Sequence, residues 1–234
     1  MNKIITLLAL SILIISCSSE KEGNMIVQGN IKGLKKGTLY LQKMKDTLLI
    51  SVDSVKILGQ ETFSLTDNVT SPVLYFLTLD GNTKTNSILF FGEKGTITIH
   101  DKLEEFGFNP KITGSKNQEV LDEYNIVEKK FQGQRLDFIK KDFDAKRENN
   151  QALVTQLENE YKSLAKRRVL FTTNFAIKNS NLEVAPYLAL TEMYDASLKM
   201  LDTVNNSLTE KVKKSVYGKR FQEYLNDIKA AELK

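Results

Sequence analysis

The stretch "ITGSKNQEVLDEY", residues 112–124, is where the period of the chain changes. Before it, apolar residues alternate in short runs broken by turns. After it, Val120, Tyr124, Val127 and Phe131 recur every three or four residues, with Leu121 beside them. Alternation places successive side chains on opposite faces of a strand, whereas steps of three and four line one face of a helix. Thr113-Gly114-Ser115 reads as the helix start, with Ser115 or Asn117 as its cap. The expected architecture is therefore α+β: an antiparallel, sandwich-like β module over residues 25–114, then a helical region over 115–234.

Upstream, "MIVQGNI" alternates Val27, Gly29 and Ile31, and "TLYLQKM" sets Leu39 and Leu41 against Tyr40 and Gln42. "LLISVDSVKI" and "ETFSLTD", with Phe63 and Leu65 in alternation, continue the series. "PVLYFLTLD" and "NSILFFG" are more continuously apolar, as expected of strands covered on both faces. "GTITIH" closes it. Gly33 and Gly37 bracket a turn, Asp53-Ser54 suits local side-chain-to-backbone bonding, and Gly92-Glu93-Lys94-Gly95 reads as a hairpin connection.

Downstream, Leu136, Ile139 and Phe143 resume the first helical stripe after Gly133, which weakens it, and the polar run 145–150 breaks it. A second long helix is expected over about residues 151–177, with the stripe Val154, Leu157, Tyr161, Leu164, Arg168 and Phe171. "KNSN" stops it, and shorter helices are expected over residues 183–195, 207–218 and 219–233. Apolar stripes of this spacing read as core rather than as a ligand groove.

The front of the chain is of a different kind. One early charge at Lys3, an apolar run over residues 4–15 and the small Ser16 describe a secretory signal peptide over 1–16. The run is short of the ~20 residues that cross a bilayer core. "IISC", residues 14–17, resembles the bacterial lipobox, and that resemblance implies cleavage before Cys17 and acylation of its thiol. Two or more acyl chains anchor stably where one binds marginally. Residues 17–24, the lipidated terminus and the polar residues after it, read as a flexible tether.

Composition removes several chemistries. Cys17 is the only cysteine and His100 the only histidine, so neither CxxC, a disulfide nor a histidine-rich zinc site is available. A Ser-His-Asp triad would need His100, which reads instead as an exposed strand-end residue. Carboxylates spread over helical faces without a pair fit for acid–base work. No phosphate-cradling glycine motif occurs. The net charge of +4 is dispersed, and nucleic-acid binding is disfavoured. No catalytic residue, cofactor or metal is expected.

Segments of the β half and the helix entry that follows it resemble the DUF4369 module of Bacteroidetes-type lipoproteins. They are "GNIKGLKKGTLYLQ", "VDSVKI", "ETFSL", "PVLYFL", "FFGEKGTITI" and "ITGSKNQEVLDEY". The order of the segments is kept; the departure is Gly59-Gln60-Glu61-Thr62-Phe63, where the usual glycine-lysine turn is altered. In many relatives such a module and its helices precede a thioredoxin-like domain of TlpA/AhpC-TSA type bearing CxxC. The resemblance implies a location and an architecture without a catalytic site.

The function expected is that of a cell-envelope protein, lipid-anchored at Cys17 to the outer membrane, on its periplasmic face. It would bind or position an envelope protein or a thiol-redox protein. The alternative is the anchoring front of a thiol-disulfide oxidoreductase whose thioredoxin domain is missing or separately encoded.

Overall fold

A computed structural model of the chain describes residues 23–81 and 87–232. Cys17, residues 1–16 expected as a signal peptide, and most of residues 17–24 expected as a tether lie outside the described residues. Asn24, placed in the tether by its sequence, is tied down instead: its side chain accepts from Val69 N at 2.7 Å and donates to Val69 O at 3.0 Å.

The described β strands are β1 Met25–Lys32, β2 Lys36–Lys45, β3 Leu48–Leu58, β4 Thr62–Asp67, β5 Val73–Leu79, β6 Ser87–Gly92, β7 Gly95–Lys102 and β8 Lys111–Thr113. They form two four-stranded sheets, ordered β4-β1-β7-β8 and β3-β2-β5-β6. The inward residues are those the alternation selects: Val27 and Ile31, Leu39 and Leu41, Phe63 and Leu65, Tyr75 and Leu77, Ile97 and Ile99 pack in one cluster. Each such burial contributes about 1.5–3 kcal/mol.

Two expectations need correction. The sandwich is not wholly antiparallel, because β1 and β7 pair in parallel, Val27 opposite Ile97 and Gly29 opposite Ile99. Nor is residues 92–95 a hairpin connection. β6 pairs with β5 in one sheet while β7 pairs with β1 and β8 in the other, so this turn carries the chain across the sandwich. Local turn chemistry is the same in both cases. The outcome is set by long-range bonding: Gly95 N donates to Asn24 O, which starts the β1–β7 ladder.

The helices are α1 Lys116–Arg147, α2 Gln151–Lys178, α3 Val184–Glu192, α4 Leu198–Ser207, the single turn α5 Glu210–Lys213, and α6 Val216–Glu232. Ser115 is the α1 cap, its side chain accepting from Gln118 N. Gly133 leaves α1 unbroken, and Asn150 caps α2 by accepting from Leu153 N at 3.1 Å. The region 207–218, expected as one helix, is α5 plus the start of α6, and α4 stands where none was expected.

The helices cover the outer face of one sheet. Phe91 of β6 is fully buried and packs edge-on to Tyr187 and Tyr217, with ring centroids 5.4 and 6.0 Å away. Leu74 N donates to Tyr217 Oη at 3.1 Å and Phe91 N to Gln118 Oε1 at 2.9 Å. Those contacts account for the continuous apolar reading of β5 and β6, although Leu89 remains exposed.

The far end of the α1–α2 hairpin is different. Its small cluster, Ala145, Val154 and Leu157 with Phe138 and Leu153, consists of α1 and α2 residues alone. Leu136, Ile139 and Phe143, expected as core, are 66, 53 and 66% exposed. Helical periodicity places them on a common stripe but cannot bring a third element to cover it.

Candidate functional site

Cys17 lies outside the described residues. His100 is an exposed residue of β7 whose Nδ1 meets Asn30 Oδ1 of the neighbouring β1. Asp53, on β3, accepts from Ser54 N at 2.7 Å and from Thr66 N at 2.9 Å. The second bond reaches β4, so Asp53 ties one sheet to the other. The glycine turns, His100 and Asp53 are not brought together into a site.

A cleft of about 290 Å³ instead opens between α1, α2 and the end of α3. Glu128 of α1 and Arg168 of α2 both line it. Glu128 follows Tyr124 by one helical turn on α1, and Arg168 follows Leu164 by one turn on α2. Folding the hairpin brings them together. Arg168 Nε donates to Glu128 Oε1 at 2.9 Å and to Oε2 at 3.0 Å. Arg168 Nη1 donates to Glu192 O at 3.2 Å, and Nη2 meets the Glu192 carboxylate. The guanidinium thus clamps α1, α2 and the C-terminal turn of α3.

Neighbouring groups complete the network. Tyr124 Oη lies 2.9 Å from Thr172 Oγ1 and 3.4 Å from Glu128 Oε2. Thr172 in turn donates to Arg168 O at 3.0 Å. Burial pulls the Arg168 pKa down, but its hydrogen bonds and charge contact with Glu128 more than reverse this, leaving it raised. Burial also raises the Glu192 carboxyl above the ordinary glutamate value, with Arg168 opposing the shift. The Tyr124 hydroxyl is pushed upward, chiefly by burial.

Aromatic groups form much of the wall: Phe131 and Tyr161 line the cleft, and Tyr194 stands at its edge, 63% exposed. Arg135 and Asp195 add charges of opposite sign. This arrangement suits holding a partner group against rings within a fixed charge pattern. The Arg168 clamp contains no Ser, Cys or His positioned as a nucleophile or base. Among the described residues no group of three or more His, Cys, Asp or Glu could hold a metal ion. Nor is any described helix long and apolar enough to cross a membrane.

In the sequence Arg168 lies on the α2 stripe, whose spacing reads as apolar core. The missed signal was a cation at a core-facing position, which requires an anion at a matching depth. Glu128, one turn after Tyr124, was that anion.

Residues 25–121 match the family model described as Domain of unknown function (DUF4369). The β module and the first turn of α1 are therefore a DUF4369 domain. The match runs past the last strand as far as Leu121, taking in the α1 residues that pack against β6. No curated protein and no solved structure matches the chain.

Proposed function

We propose that this DUF4369-containing chain is a cell-envelope lipoprotein, held by acyl groups on Cys17 to the periplasmic face of the outer membrane, that binds and positions a partner protein. The anchoring part rests on the lipobox-like residues 14–17. The observation that carries the binding part is the outer half of the α1–α2 hairpin. It packs on itself alone and leaves Leu136, Ile139 and Phe143 exposed, next to a cleft walled by Phe131 and Tyr161. Contiguous exposed apolar residues on a rigid element are a common mark of a protein-binding surface. Lysines and acids flank the stripe, as in "KKDFDAKR", which favours an envelope protein with an apolar face and a mixed-charge rim.

Two measurements test the parts separately. Cells producing the chain are fed an alkyne-tagged palmitate; the wild type should carry the label and sediment with membranes, while Cys17→Ser should lose both. Label on Cys17→Ser would remove the anchoring reading. For the hairpin, Leu136→Ser, Ile139→Ser and Phe143→Ser should each change stability by no more than about 0.5 kcal/mol, as exposed sites do. Photocrosslinks placed at Lys140 should form to a discrete envelope protein and vanish in the triple serine variant. Crosslinks that persist unchanged in that variant would show that the stripe is not the binding face.

A further inference from the structure

A second cleft, of about 470 Å³, lies where the β module meets the helices, between the start of β5, the 92–95 turn and the α5–α6 segment. One of its lining residues carries a buried carboxylate. Glu183 immediately precedes α3, and its side chain is only 2% exposed. Glu183 Oε2 accepts from Asn117 Nδ2 at 3.3 Å. The same nitrogen donates to Glu93 Oε2 at 2.9 Å, and Asn117 Oδ1 accepts from Val184 N at 2.8 Å. Asn117 thus holds both carboxylates against the helix starts.

Glu183 Oε1 is placed differently. No donor among the described residues hydrogen-bonds to it, although it is buried. Its nearest cation is Lys211 Nζ at 4.0 Å, beyond hydrogen-bond reach and on a side chain that is 78% exposed. A buried carboxylate oxygen without a donor is costly, and a charged N–H donor is the group that relieves it best. The rim carries the opposite sign, with Lys94, Lys211 and Lys214 all lining the cleft.

The two signs restrict what fits. An anion alone would satisfy the lysines but meet Glu93 and Glu183. A cation alone would satisfy Glu183 but crowd three lysines. A ligand with an ammonium at one end and a carboxylate a few bonds away satisfies both. The volume falls in the ~300–1,000 Å³ range of small-molecule sites. We propose that this cleft binds a small zwitterion, a free α-amino acid or a dipeptide, with its ammonium on Glu183 Oε1 and its carboxylate on the lysine rim.

The test is calorimetry on the full chain in detergent, with glycine, L-alanine, L-glutamate and glycylglycine as probes and with ethylamine and acetate as the two half-ligands. At least one zwitterion should bind with a Kd below about 1 mM. The half-ligands should bind at least about tenfold more weakly. Glu183→Gln, which keeps an oxygen for Asn117, should weaken the zwitterion by about tenfold or more. Lys211→Gln/Lys214→Gln changes only exposed side chains, so it keeps the test decisive should the Glu183 variant not fold; it should weaken binding by about threefold or more. Glycylglycine binding more tightly than every amino acid would identify the peptide source, and the reverse order the free amino acid. Failure of all four zwitterions at about 10 mM would overturn the proposal. So would ethylamine binding as tightly as glycine, or undiminished affinity in the lysine variant.

Discussion

Gly29→Ala should abolish the folded state, with a loss of more than about 4 kcal/mol, seen as the disappearance of a cooperative transition in chemical denaturation. A Cβ at residue 29 would stand 1.7 Å from the carbonyl oxygen of Ile99 and 2.7 Å from its carbonyl carbon. Both are backbone atoms, so no rotamer change relieves the overlap. The strands cannot move apart at low cost either, because β1 lies between β4 and β7 within its sheet. Separating β1 from β7 would break a parallel ladder running from Met25–Gly95 to Lys32–Lys102. Gly133→Ala is the contrast. Within α1 its new methyl would meet nothing within 4 Å, and exchanging a helix-interior glycine for alanine should stabilise by about 0.5–1 kcal/mol. If both variants shift stability by similar small amounts, the close approach of β1 and β7 is not as described.

The contrast also shows which features the sequence carries legibly. Gly29 stands in an alternating run of the sequence and lies within strand β1. Its need for glycine comes from a strand some 70 residues later, which no local pattern reveals. The turn at residues 92–95 is similar: its composition suits a hairpin, and only the pairing of β7 with β1 makes it a crossing between sheets. The ends of α1 and α2 were legible because Ser115 and Asn150 carry local capping chemistry. Helix α4 was not, since Thr203, Val204, Asn205 and Asn206 are weak helix formers. Burial of Leu201 and Val204 against the α6 residues Phe221 and Leu225 overrides that propensity.

The candidate sites follow the same division. Phe131, Tyr161 and Leu164 are recognisable in the sequence as one-sided helical positions, so part of the cleft wall is legible in advance. That Arg168 would meet Glu128 and Glu192 is not, because the pairings span 40 and 24 residues. Likewise Asn117 is, by its place in the sequence, only a cap candidate. It instead holds Glu93 and Glu183 together across the junction of the two modules.

Arg168→Met should cost about 3–5 kcal/mol, the loss expected when one partner of a buried ion pair is removed. The Glu128 side chain is 8% exposed, and Arg168 supplies both of its shortest hydrogen bonds. Without the guanidinium, Glu128 retains only the longer contacts to Tyr124 at 3.4 Å and Gln132 at 3.5 Å. A buried charge so poorly compensated either destabilises the fold or takes up a proton. Glu192 is less affected, because its side chain is 30% exposed and can turn to water. The double variant Arg168→Met/Glu128→Met should therefore recover most of the loss, since replacing both members of a buried pair by apolar groups of similar size is often near neutral. A coupling energy of about 2 kcal/mol or more between the two positions is the expected result of the double-mutant cycle. Simple additivity would mean that Glu128 is already satisfied by water in the cleft, and that Arg168 serves chiefly to hold Glu192 and the end of α3 in place.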